Sequence, residues 1–234
     1  MIEKIKLVVF DMSGTTIKDQ NEVLDCFYTA LTCTGIKRDK AYINTMMGWS
    51  KIEVFRRIWQ EELGAQADEV EQKARQSYDV FRELLEKYYA LHAMQPTEGC
   101  LEAFAWLRAQ GIKVALNTGF YRTVVDILLK KMDWQVGRDI DFVIASDEVP
   151  RGRPEPYMIR AAMRRLGIKD VTSVIKIGDT PVDLQEGRMA GCLTFGLTNG
   201  SHTREELEVY ENDGLFDSLF GFVTYLKAEK PVAV

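Results

Sequence analysis

With 234 residues, 46% apolar and 28% charged, the chain has the make-up of a globular protein with one large domain or two smaller ones. A net charge of −5 and an isoelectric point near 5.3 exclude a global basic surface for nucleic acid or anionic membrane. Cys26, Cys33, Cys100 and Cys192 lie far apart with no CxxC pair, so they read as reduced thiols of a cytoplasmic protein, not as a disulfide frame or zinc site; no run approaches the roughly 18 apolar residues of a membrane span.

The opening "MIEKIKLVVFD" is too short in its apolar run for a signal peptide and reads as a strand, "KLVVF" (6–10), that stops at Asp11 and enters the small residues Ser13-Gly14-Thr15-Thr16. Residues 17–96 then hold no convincing strand. Val23, Cys26, Phe27, Ala30 and Leu31 share one helical face, as do Ile52, Phe55, Ile58 and Trp59, and again Val70, Ala74, Tyr78, Phe81, Leu85 and Tyr88. Beyond Pro96 and Gly99 the pattern alternates. The helical "EGCLEAFAWLRAQG", with Leu101, Phe104 and Leu107 on one face, precedes a strand at 113–117. The helical "YRTVVDILLKKM" and "EPYMIRAAMRRLG" each precede another, at 142–146 and 173–178, and a fifth run follows at 193–198. Gly111 and Gly167 sit where helix C-caps fall. "LFDSLFGFVTYL" (215–226) reads as a core helix or a partner surface, a homodimer stays open, and "EKPVAV" reads as a loose tail. The expected fold is α/β: a doubly wound parallel sheet over residues 1–16 and 97–234, with an all-helical cap domain, 17–96, inserted after the first strand and hinged near 16–21 and 92–98.

In a parallel sheet, strand ends share one edge, and here they carry related groups: Asp11; Thr118 and Gly119; Arg151 and Arg153 in "VPRGRPEP"; Asp179 and Asp183 in "GDTPVD". Carboxylates suit Mg²⁺, while backbone amides, a hydroxyl and an arginine fork suit phosphoryl oxygens. Each piece also has an ordinary structural use. Asp-x-Ser-Gly forms turns, and Thr180-Pro181-x-Asp183 starts a helix. Their joint order favours chemistry.

The set Asp11-x-Ser13-Gly14-Thr15, Thr118-Gly119, Arg153-Pro154 and Gly178-Asp179-Thr180-x-x-Asp183 resembles the haloacid dehalogenase superfamily over essentially the whole chain, and the helical insert resembles its C1 cap. The resemblance implies an Mg²⁺-dependent hydrolase in which Asp11 becomes an aspartyl phosphate. Asp11, Asp179 and the Ser13 main-chain carbonyl would hold the metal, with support from Asp183. Thr118, Gly119, Arg153 and Thr15 would bind the phosphoryl group.

Most of that superfamily's phosphatases carry a second Asp where this chain has Ser13, a poor general acid; such assistance is typically worth ~10²–10⁴ in rate. The phosphonatase branch also lacks that Asp. It resembles this chain in Arg153, in "EGR-x-AG" (Glu186–Gly191) and in Met47-Gly48-x-x-Lys51-Ile52. By that resemblance Lys51 forms a Schiff base with a carbonyl phosphonate, and Met47, Trp49 and Phe120 line its pocket. From the residues alone, "SKIE" predicts a capping box, Ser50 to Glu53. That places Lys51 at the positive end of a helix, where a neutral amine is favoured, with Glu53 pulling the other way. The chain departs from phosphonatase at Val54, Phe120 and Asn21, where the branch has His, Tyr and Cys. Two alternatives stand beside this reading: a phosphate-monoester phosphatase and a catalytically silent phosphate-binding protein. His92 and His202 receive no role.

Overall fold

Strand β1 (Leu7–Phe10) is buried on both faces. Val8 and Phe10 point into one apolar cluster, Leu7 and Val9 into the other, as a two-residue period requires. The computed structural model describes residues 2–228; the expected tail, 229–234, lies outside them.

After β1 come α1 (Glu22–Cys33), α2 (Lys40–Asn44), α3 (Lys51–Leu63) and α4 (Val70–Leu91). The alternation then begins with α5 (Cys100–Ala109), β2 (Lys113–Thr118), α6 (Arg122–Met132), β3 (Phe142–Ala145), α7 (Tyr157–Leu166), β4 (Val174–Gly178), α8 (Pro181–Ala190) and β5 (Leu193–Leu197), and ends with α9 (Arg204–Glu208), β6 (Gly214–Phe216) and α10 (Leu219–Ala228). The sheet runs β3-β2-β1-β4-β5-β6, all parallel. The strand order reverses at β1, so the ends of β1 and β4 flank the crevice where doubly wound sheets bind ligands.

Strand β6 was not anticipated. Its three residues begin at Gly214 and carry no periodic signal, and "LFDSLFGFVTYL" splits between this edge strand and α10. Leu101 is exposed, contrary to the expected face of α5; Cys100, Ala103, Phe104 and Leu107 are buried instead. In α4 the inward tyrosine is Tyr89, not Tyr88. It continues the four-residue step from Phe81 and Leu85, and its hydroxyl donates to Glu22 Oε1 at 2.9 Å.

The inserted helices close on Phe27, Phe55 and Phe81, with ring centroids 4.4–5.6 Å apart. Two antiparallel crossings tie this segment to the sheet: Thr97 N donates to Thr16 O and Lys18 N to Gln95 O, both at 3.0 Å. Among the described residues, no helix is long and apolar enough to cross a membrane.

Candidate active site

Asp11 is the first residue beyond β1, and its N–H still donates to Ile177 O of β4 at 3.0 Å. The carboxylate is buried, and its Oδ1 accepts from Arg153 Nη1 at 2.6 Å. That nitrogen also lies 2.9 Å from Asp183 Oδ1. Arg153 Nε donates to Glu186 Oε2 at 3.2 Å, and Nη2 to both oxygens of Asn117 at 2.6 Å. From the middle of β4, Lys176 reaches Asn117 Oδ1 at 2.7 Å and Asp183 Oδ1 at 2.8 Å.

Asp179 follows β4. Its Oδ2 accepts from Ser201 N at 2.7 Å and its Oδ1 from Thr15 Oγ1 at 3.1 Å. Gly14, at φ 85°, passes so close that a Cβ there would stand 2.1 Å from Asp179 Oδ2, so both the backbone angle and the space require glycine. Asp183, in the first turn of α8, accepts from the Thr180 hydroxyl at 2.6 Å and the Thr180 N–H at 3.2 Å. Asp183 so receives the N-cap N–H at the start of α8, the reciprocal contact of a capping box.

Burial pushes the Asp179 carboxyl up to about 8, and Asp11 and Asp183 add to the rise. Burial also raises Asp11, against the opposing pull of Arg153. For Asp183 burial acts upward too, but Arg153 and Lys176 outweigh it and hold the group below the usual range. Four buried carboxylates, Asp11, Asp179, Asp183 and Glu186, thus face two committed cations, Arg153 and Lys176. The ligand oxygens of Asp11, Asp179 and Asp183 lie within 4.8 Å of one another. Surplus negative charge and oxygen-only donors fit a hard divalent cation such as Mg²⁺.

The opposite wall comes from the helical segment. Lys51 is the first residue of α3 and is 5% exposed, its Nζ lying 5.7 Å from the Phe27 ring centroid and 5.0 Å from that of Phe120. Burial pulls its amine down to about 8; Asp11 acts upward and Arg153 downward. The expected Ser50–Glu53 capping box does not form. Ser50 packs against the Gly152 loop and makes no side-chain cap, while Glu53 turns to Arg56, which also holds Glu71. The charge of Glu53 is therefore neutralised locally, and the carboxylates that act on Lys51 are Asp11, Asp19 and Asp179.

Between these walls lies a cavity of about 20 Å³, room for about one water. Asp11, Ser13, Met47, Lys51, Thr118, Gly119 and Phe120 line it, together with Asp19, Val23, Gly48, Thr180 and Ser201. Asp179, Asp183, Arg153 and Thr15 are buried beneath this surface and hold one another or Asp11. The Trp49 side chain is not on the cavity wall. The Trp49 main chain is the part that approaches the site, since a Cβ on Gly119 would stand 2.3 Å from its carbonyl oxygen. Arg151 is exposed. His92 stacks on Tyr88, and His202 is buried with Nδ1 unbonded.

Sequence reasoning missed Lys176, Asn117, Asp19 and Ser201. For Lys176 a signal existed: a lysine inside a strand buried on both faces must have a charged partner. Ser201 offers only its backbone N–H to Asp179, which no side-chain pattern encodes.

The family profile of haloacid dehalogenase-like hydrolases matches residues 5–191. The chain is similar to the phosphonoacetaldehyde hydrolase of Bacillus cereus strain G9842, 34% identical over 220 residues that span 88% of this chain and 81% of that protein. It is similar as well to the phosphonoacetaldehyde hydrolase of Bacillus thuringiensis strain Al Hakam, 33% identical over 223 residues with the same coverage. The crystal structure of a phosphonoacetaldehyde hydrolase-like protein from Oleispira antarctica superposes with a TM-score of 0.82 at 25% identity, covering 96% of this chain and 92% of that one.

Proposed function

The chain belongs to the haloacid dehalogenase-like hydrolases, on their phosphonatase-like branch, and from that premise we propose that it cleaves the carbon–phosphorus bond of a small carbonyl phosphonate such as phosphonoacetaldehyde. The observation that carries this reading is the joint presence of Lys51 and Asp11 on one cavity whose position 13 is a serine.

Lys51 attacks the substrate carbonyl as a free amine, and loss of water leaves an imine that takes up a proton. A buried lysine between two aromatic rings, pulled down to about 8, supplies free amine near neutral pH. The Asp11 carboxylate then attacks phosphorus. The electron pair of the C–P bond moves onto carbon and into the iminium nitrogen, giving an enamine on Lys51 and an acyl phosphate on Asp11. No oxygen leaves at this step, so no acid is required at position 13. Protonation of the enamine carbon and hydrolysis of the resulting imine release the aldehyde. Water cleaves the acyl phosphate to phosphate and restores Asp11.

Arg153 orients Asp11, and its other N–H groups are held by Asn117 and Glu186. Thr118 and the Gly119 backbone, on the cavity wall, would receive the phosphoryl oxygens. Asp11, Asp179 and the Ser13 carbonyl, with Asp183 behind them, would hold Mg²⁺, which would supply positive charge against the phosphoryl oxygens. Residues 17–96 act as a cap, because a cavity of about 20 Å³ admits a substrate only if the helical segment swings away on the paired crossings at 16–18 and 95–97.

Incubation with phosphonoacetaldehyde and borohydride, followed by mass spectrometry, should place a two-carbon adduct on the Lys51 peptide, and without borohydride phosphate should be released. No adduct and no phosphate, with turnover of a phosphate-ester panel, would replace this reading with that of an ester phosphatase.

A further inference from the structure

Asp19 is the one carboxylate on the cavity wall outside the Asp11–Asp179–Asp183 group. Its Oδ1 accepts from Asn21 N at 2.6 Å, which sets the turn into α1, its Oδ2 faces the Ser13 hydroxyl at 3.5 Å, a long and weak contact, and its neighbour Glu22 is a second acid, pushed up to about 7 by burial with Asp19 adding to the rise. Among the described residues Lys51 is the only cation on the same wall, and the proposed imine uses its nitrogen. Arg153 and Lys176 lie behind Asp11, committed to Asp183, Glu186 and Asn117. A substrate bound here therefore meets provision for one anionic group, the phosphonate, and, at Asp19, an acidic side chain that acts on the Lys51 amine where its carbonyl would bind.

The geometry points to Asp19 as the group that restricts this site to carbonyl phosphonates whose only anion is the phosphonate, excluding those with a carboxylate on the carbonyl carbon. Two neighbouring carboxylates repel, and among the described residues the wall holds no cation besides the Lys51 nitrogen, whose iminium charge takes up the C–P electron pair. This inference rests on the carbonyl-phosphonate reading and adds the substrate's charge class to it.

The test compares two ketones of similar shape, 3-phosphonopyruvate, with a carboxylate, and 2-oxopropylphosphonate, with a methyl group in its place. In the wild-type protein kcat/KM should favour the methyl ketone. Asp19→Asn keeps an acceptor for Asn21 N–H and removes the charge, and it should raise the carboxylate-to-methyl ratio about tenfold or more, chiefly through KM. Asp19→Glu, which retains the charge, should leave the ratio low. A merely structural role would change both ketones together and leave the ratio where it was. An unchanged ratio in Asp19→Asn overturns the inference while phosphonoacetaldehyde turnover still supports the functional reading. Failure of both ketones in both proteins, with phosphonoacetaldehyde cleaved, also overturns it, because size and not charge then sets the limit. If no carbonyl phosphonate is cleaved, the functional reading falls and this inference falls with it.

Discussion

The two walls of the cavity solve opposite problems. On the sheet side Asp11, Asp183 and Glu186 are buried in one ion-paired network with Arg153 and Lys176, and Asp179 is buried beside them on the Ser201 N–H and the Thr15 hydroxyl. On the helical side one lysine is buried against Phe27 and Phe120 with no salt bridge of its own among the described residues. Pairing fixes these side chains in place and holds Asp183 below the usual carboxylate range, while burial still raises Asp11. The unpaired lysine gives up part of its hold on a proton and becomes available as a nucleophile. Rigidity on one side and reactivity on the other follow from the same low dielectric.

The largest effect should come from the nucleophile of the rigid wall. Asp11→Asn keeps the shape of the side chain, and phosphate release should fall by about 10⁴ or more with circular dichroism unchanged. Lys176→Met tests whether that wall depends on pairing. It leaves Asp183 and Glu186 with Arg153 alone, and urea denaturation should show a loss of about 3–5 kcal/mol, the usual cost of stranding a buried charge. A loss below 1 kcal/mol would mean that the network is not the sheet wall's support.

The contact between the walls is tested by Gly119→Ala. The new methyl cannot coexist with the Trp49 carbonyl 2.3 Å away, so the 47–50 segment must retreat. Turnover should drop about 10²-fold, as for a displacement of about 1 Å at a reacting centre, and the melting temperature should shift little. The reactive wall is tested last, by pH. The Lys51 amine is protonated below about 8, so single-turnover imine formation should rise about tenfold per pH unit up to about 8 and then level off. A level profile from pH 6 to 9 would show that Lys51 titrates elsewhere or plays no part.

Much of the sheet wall was legible in advance. An apolar run ending in Asp11, or in Gly178-Asp179, marks a buried strand and the polar residue at its mouth, and parallel strands bring such mouths together. Lys51 was legible through its motif and its place at the start of a helix. Trp49 was placed by adjacency to that motif, but adjacency does not set the direction of a side chain; its main chain faces the site instead. The Ser50–Glu53 cap was a sound local expectation that other partners overrode: Gly152, far along the chain, for Ser50, and Arg56, one turn further along α3, for Glu53.

Local pattern by itself determined that a parallel sheet would carry acids and a threonine at one edge, with helices inserted above it, because strand burial and helix periodicity are written within a few residues of each other. Which of those groups would face the cavity and which would lie beneath it was decided only by tertiary structure. Arg153 went under Asp11 because Asp183 and Glu186 reach it from one helix, 30 and more residues further along the chain, and Asp19 reached the wall because the crossing at 16–18 turns there. Charge pairing across such distances depends on where whole elements pack, and no short window of residues contains it.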